Sequence, residues 1–176
     1  MNIKKSALLG VTLAGSLSMS VSAFAGGYVG VSMGNTDFDA PEDGTSFEIK
    51  GGYALSDSFA IQASYVEFGD IDDNDPPVWT LESDAIELSV VGSYVISEKL
   101  NLTGLLGVAF WDISIDEAGF GSLGSIDGED LVVGLGLSYS ASDSVSLELQ
   151  YKDYSISIED EDLDVSNISA GVKFRF

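Results

Sequence analysis

Seven charged residues stand in otherwise apolar or small-residue segments: Glu48, Lys50, Glu87, Glu148, Lys152, Lys173 and Arg175. Carboxylates and cationic side chains so placed have two uses. In a dry interior they must pair, because an unpartnered buried charge is costly. Along a water path they can pass or stop ions. A second set is purely acidic. Asp70, Asp72, Asp73 and Asp75 form one run, and Glu159, Asp160, Glu161 and Asp162 another. Their hard oxygen ligands suit weak binding of Ca²⁺ or Mg²⁺. Composition closes off other chemistry. The 176 residues contain no Cys and no His. That removes thiol nucleophiles, zinc–cysteine sites and the usual general base. With 7 Lys+Arg against 29 Asp+Glu, a net charge of -22, the chain is not built to hold nucleic-acid phosphates.

These groups can act together only if regular elements position them. Three segments repeat: Tyr53-Ala-Leu-Ser-Asp-Ser-Phe59, Tyr94-Val-Ile-Ser-Glu-Lys-Leu100 and Tyr139-Ser-Ala-Ser-Asp-Ser-Val145. Each is an aromatic, a short Ser/acid turn and a new apolar residue. Apolar residues alternate strictly on both sides, as in Ile86, Leu88, Val90 and then Leu100, Leu102, Leu106, Val108 and Phe110. The same period of two runs through Val29–Met33, Phe47–Tyr53, Phe59–Tyr65, Leu131–Tyr139, Val145–Tyr151 and Ile168–Phe176. Period two predicts eight strands, with no competing helical stripe. The connections near 37–45, 68–80, 112–130 and 154–165 are long and carry most of the acids, with no Lys or Arg among those acids. Short and long connections in alternation describe an up-and-down meander, and closing it removes its edges.

The alternate face decides what surrounds such a barrel. It holds Gly30, Ser32, Gly34, Ser46, Gln62, Ser64, Ser89, Thr103, Gly107, Ala109, Gly134, Gly136 and Ser138. Small polar residues fit the narrow interior of eight strands, while large aliphatics fit a lipid-facing exterior. Aromatics gather at both strand ends, as two membrane interfaces select. One group is Tyr28, Tyr53, Phe59, Tyr94, Tyr139 and Phe176. The other is Phe47, Tyr65, Phe68, Trp79, Phe110, Trp111, Tyr151 and Tyr154. The expectation is an all-β, eight-stranded antiparallel up-and-down transmembrane β-barrel over residues 26–176. Ahead of it, Lys4 and Lys5, the apolar stretch 8–21 and Ala23-Phe24-Ala25 read as a cleaved signal peptide over 1–25.

The last residues carry a resemblance. Ser169-Ala-Gly171-Val-Lys-Phe174-Arg-Phe176 resembles the C-terminal assembly signal of bacterial outer-membrane barrels. Its elements are a polar residue, Gly, and two aromatics, here Ser169, Gly171, Phe174 and Phe176. Gly26-Gly-Tyr28-Val-Gly30-Val-Ser-Met-Gly34 resembles the first strand of small porin-family barrels. The whole mature chain is similar to the eight-stranded group of the OmpA membrane domain, OmpX, Ail and Opa-type surface proteins. The resemblance implies a monomer in the bacterial outer membrane with both termini in the periplasm. It implies contact with lipopolysaccharide and with the barrel assembly machinery. No peptidoglycan-binding domain is expected after the last strand. The enzymes of this group depend on a His, so no catalytic site is expected.

Two readings of function remain. The acidic connections, outside the cell in this topology, suit a structural or surface-interaction role toward cations, envelope lipid or a host ligand. Alternatively the inward charges form a small porin-like channel. Within the lumen the charges read as a plug, with a gate as the alternative. The run from Asp70 is similar to the start of an EF-hand loop, but Asp75 stands where Gly is needed and Leu81 where Glu is needed. A solvated acidic rim is therefore the simpler reading of those acids, and no cofactor is expected.

Overall fold

The computed structural model describes residues 26–37, 44–69, 71–73, 79–117, 121–158 and 161–176. The expected signal peptide lies outside them. The strands are β1 (Gly27–Asp37), β2 (Gly44–Ala54), β3 (Phe59–Glu67), β4 (Ile71–Asp73), β5 (Trp79–Val95), β6 (Leu100–Glu117), β7 (Gly121–Ser140), β8 (Val145–Ile158) and β9 (Glu161–Arg175). All pairings are antiparallel, and β1 pairs with both β2 and β9 while β3 pairs with β5. Eight strands thus close on themselves. The ninth, β4, is a three-residue ribbon against the start of β5.

The repeated sequence makes a repeated turn. Leu55, Ile96 and Ala141 each donate their backbone N–H to the carbonyl four residues on, at 2.8, 2.9 and 2.9 Å. The Ser56 hydroxyl accepts from the N–H groups of Ser58 and Phe59, and Ser142 does the same for Ser144 and Val145. The Ser that opens each Ser-Asp-Ser run supplies the local hydrogen bond that favours turn over strand. These three turns define the short-turn end of the barrel. The opposite end is the long-hairpin end.

At that end the strands run further than the alternation of aliphatics predicts. The segments 112–130 and 154–165 read as connections, yet β6 and β7 pair out to Glu117 and Gly121, and β8 and β9 out to Ile158 and Glu161. A spanning strand needs only about 9–11 residues. Acids and Ser suggest loop by composition, but Trp111, Ile113 and Ile115 keep the period of two between Asp112, Ser114 and Asp116. Backbone pairing follows the period and tolerates the acids within it.

The faces are inverted relative to a water-soluble protein. Ile61, Ile86, Leu88, Val90, Leu106, Leu135, Leu149 and Ile168 are exposed, while Ser32, Ser46, Gln62, Ser64, Ser89, Thr103 and Ser138 are buried. Tyr53, Phe59, Tyr94, Tyr139 and Phe176 face outward at one end and Tyr65, Phe110 and Tyr151 at the other. Four expected members of these two rings are instead inside. Tyr28, Phe68, Trp111 and Tyr154 are buried at 7, 1, 4 and 1% exposure. Each shares its parity with inward neighbours (Gly30, Val66, Ala109 and Lys152), and parity outweighs position along the strand. The side chain of Trp79 lies outside the described residues.

Candidate functional site

The inward charges of β2, β5, β8 and β9 form one alternating ladder. Glu87 on β5 takes the Lys152 ammonium at 2.7 Å, and the same Nζ reaches Glu48 Oε1 at 2.8 Å. Glu48 lies 3.8 Å from Lys50, whose Nζ is 3.0 Å from Glu148. Glu148 pairs in turn with Lys173. Three carboxylates and three ammonium groups alternate, and the column is neutral. Further hydrogen bonds support the ladder from the side. Ser32 donates to Glu48 at 2.8 Å, Lys50 donates to Gln150 at 3.2 Å, and the Tyr154 hydroxyl donates to Glu87. The Lys173 ammonium also lies 5.1 Å from the centroid of the Tyr28 ring, and the Tyr28 hydroxyl donates to Gln62 at 3.0 Å. Glu87 is 0% exposed, Lys152 1%, Lys50 2% and Glu48 4%. Burying charges this deep is costly unless they are paired, and every neighbour on the ladder is of opposite sign.

Of the seven expected lumen charges, Arg175 stands apart. It is exposed at the short-turn end, and its guanidinium donates to the hydroxyls of Ser140 and Ser146 at 3.4 and 3.3 Å. One residue from the chain end, it has passed the last carboxylate of the ladder. A polar cavity of about 100 Å³ opens there, lined by Asn101, Thr103, Ser138, Ser146, Lys173 and Arg175.

Towards the long-hairpin end the ladder meets an apolar cluster that the sequence reading had not assembled: Val66, Phe68, Ala85, Ala109, Trp111, Val132, Tyr154 and Val165, with Leu105 joining it from across Gly134 at the level of Lys152. The Phe68 ring packs edge-on against Tyr154 at 5.0 Å. The Trp111 indole N–H donates to Asp130 at 2.9 Å, so this acid points inward and is not part of a solvated rim. Across from the cluster, Asn167 donates to Thr36 at 2.9 Å and Ser46 at 2.6 Å, all three buried. Inward parity is the signal that would have found all of these residues.

The outward acids also fall into order. Register places Glu67 opposite Asp84, Asp84 opposite Asp112 and Asp112 opposite Asp127. This rung lies two residues past the outward Tyr65 and Phe110, beyond the apolar band. Burial, and then the Asp112 carboxylate, hold the Asp84 carboxyl above the ordinary range. The expected cation ligands cannot be placed in the same way. Asp70, Asp75, Glu159 and Asp160 lie outside the described residues, as do the side chains of Asp72, Asp73, Glu161 and Asp162. Among the described residues no group of three or more acids is arranged to hold a metal.

The four assembly-signal residues end β9. Phe174 and Phe176 face outward, while Ser169 and Gly171 face inward. A Cβ at Gly171 would stand 2.3 Å from the Val31 carbonyl oxygen, so close contact between β1 and β9 at the closing seam requires Gly.

A closed eight-stranded barrel with a polar filled lumen and an apolar exterior defines a membrane β-barrel. The chain belongs to the outer membrane protein beta-barrel domain family, whose profile matches residues 6–176. Its place is therefore the bacterial outer membrane. Among solved structures, Neisserial surface protein A superposes with a TM-score of 0.72 at 19% identity, covering 86% of this chain and 98% of that one. Ail, the attachment invasion locus protein of Yersinia pestis, crystallised with the heparin analogue sucrose octasulfate, superposes at 0.60 and 18%, covering 85% and 96%. The outer membrane enzyme PagL shares the fold at 0.51 and 15%, covering 85% and 99%. At these identities the likeness is one of fold. No curated protein matches the chain in sequence.

Proposed function

We propose that this protein is a surface-interaction barrel whose long-hairpin end faces outward from the cell and presents acids to cations and cationic partners. The carrying observation is one of sign. All the Lys and Arg of the mature chain lie in the lumen, at the short-turn end or in a short turn, and the outward rung is Glu67, Asp84, Asp112 and Asp127. Like charges directly opposite each other oppose pairing unless cations intervene. Divalent cations shared with lipopolysaccharide phosphates would relieve that repulsion, and the rung stands where the apolar band ends. The same sign argues against a polyanionic ligand of the kind seen on Ail, which needs Lys or Arg. Both termini would then be periplasmic. A non-enzymatic role fits the absence of His, although the fold itself also serves an enzyme.

The test is calorimetric titration of Ca²⁺ into the refolded protein, with melting followed in parallel. Measurable heat and a rise in Tm are expected, both reduced in a variant carrying Glu67→Gln, Asp84→Asn, Asp112→Asn and Asp127→Asn. No heat and no change in Tm for the wild type would end this reading. A small channel is the second reading, and the polar column that ends in a cavity at the short-turn end favours it.

A further inference from the structure

The lumen is built from two materials. From the short-turn end it is polar: first the cavity beside Arg175, then the ladder from Lys173 to Glu87. The hydroxyls of Ser89 and Ser169 are buried in this stretch with no protein partner, groups of the kind that ordered water satisfies. At the level of Tyr154 six strands contribute inward apolar side chains, with Ser83, Asp130 and Asn167 the inward polar residues beside them. The three largest, Phe68, Trp111 and Tyr154, are almost fully buried.

The cap is held in place by backbone. Gly69 has φ +94, and a Cβ there would lie 2.5 Å from the Thr45 carbonyl oxygen. The chain therefore turns tightly against β2 just after Phe68. The Phe68 N–H is tied to the Ser83 carbonyl on β5 at 2.9 Å. On the far side Trp111 lies so close over Gly128 that a Cβ there would stand 2.3 Å from its ring. The remaining sector is closed by Asn167, which donates to both Thr36 and Ser46.

An ion meets the two materials differently. In the ladder it finds carboxylates and ammonium groups that can exchange partners with it. In the cap it finds chiefly aromatic and aliphatic side chains, whose polar neighbours Asp130, Asn167, Thr36 and Ser46 are already hydrogen-bonded, and transfer of a bare charge into such a medium is prohibitive. Apolar constrictions stop ions by excluding water. We infer that the permeability barrier of this barrel is the apolar cap of Phe68, Trp111 and Tyr154, and that the charge ladder beneath it is an ion-selective column rather than the gate. The inference goes beyond the surface-binding reading and stands or falls without it.

The experiment is single-channel recording of the refolded protein in a planar bilayer, with folding confirmed by heat-modifiable gel migration. The wild type and the Glu148→Gln variant are expected to be silent. The Phe68→Ala/Trp111→Ala variant is expected to give discrete steps. Adding Glu148→Gln to that variant is expected to shift its reversal potential in a salt gradient toward anion preference. Phe68→Ser, a single change at the rim, is expected to give shorter openings and serves where the double variant does not fold. Steps from the wild type, or from Glu148→Gln with the cap intact, would overturn the inference. So would a folded cap variant that stays silent, or an opened one whose selectivity ignores Glu148.

Discussion

Replacing Lys152 by Met removes the most shared cation of the lumen. Its Nζ serves Glu87 at 2.7 Å and Glu48 at 2.8 Å, and it is 1% exposed. Glu48 would keep the Ser32 hydroxyl and a distant Lys50 at 3.8 Å. Glu87 would keep only the Tyr154 hydroxyl among the contacts that define it here. Removing one partner of a buried pair costs about 3–5 kcal/mol, chiefly because the other charge stays behind. At a urea slope of about 2 kcal/mol/M, the unfolding midpoint in detergent micelles should fall by about 2 M. The double variant Lys152→Met/Glu87→Gln leaves the alternation Glu48, Lys50, Glu148, Lys173 intact and neutral. It should recover a large part of the loss, giving a coupling energy of about 1–3 kcal/mol. A Lys152→Met midpoint close to wild type would refute the idea of a tightly coupled ladder. A double variant less stable than the single would refute it too.

Other outcomes follow from the same geometry. The folded-state carboxyl of Asp84 lies above its ordinary range, so its ionisation at neutral pH opposes folding. Asp84→Asn should therefore raise Tm at pH 7, and the gain should vanish as pH falls below about 4, where the carboxyl is protonated folded or unfolded. An equal gain at both pH values would show that charge is not the cause. Gly171→Ala should lower the stability of protein refolded in detergent, without assembly machinery, by about 1–3 kcal/mol, because the added methyl meets the β1 backbone. Gly104→Ala, with nothing within 4 Å of the new carbon, is the control and should change little.

Period-two alternation determined much of this protein without any coordinates. It located the eight barrel strands, the short turns and the inward parity of Glu48, Lys50, Glu87, Glu148, Lys152 and Lys173, because a strand has only two faces and each residue must take one. Lipid exposure was legible in the small inward residues and in the terminal aromatics. Parity even held the places of Tyr28, Phe68, Trp111 and Tyr154, although their position near strand ends suggested an outward ring. Only the tertiary structure decided how far β6 to β9 run past the apolar band, since acids read as loop by composition while the backbone pairs regardless of them. Only the closed register brought Lys152 to both Glu48 and Glu87, 104 and 65 residues away in the chain. Stagger between neighbouring strands sets which inward side chains share a level, and no local pattern encodes that stagger. The same closure separated the polar column from the apolar cap, which draws its side chains from six strands and exists only when they meet.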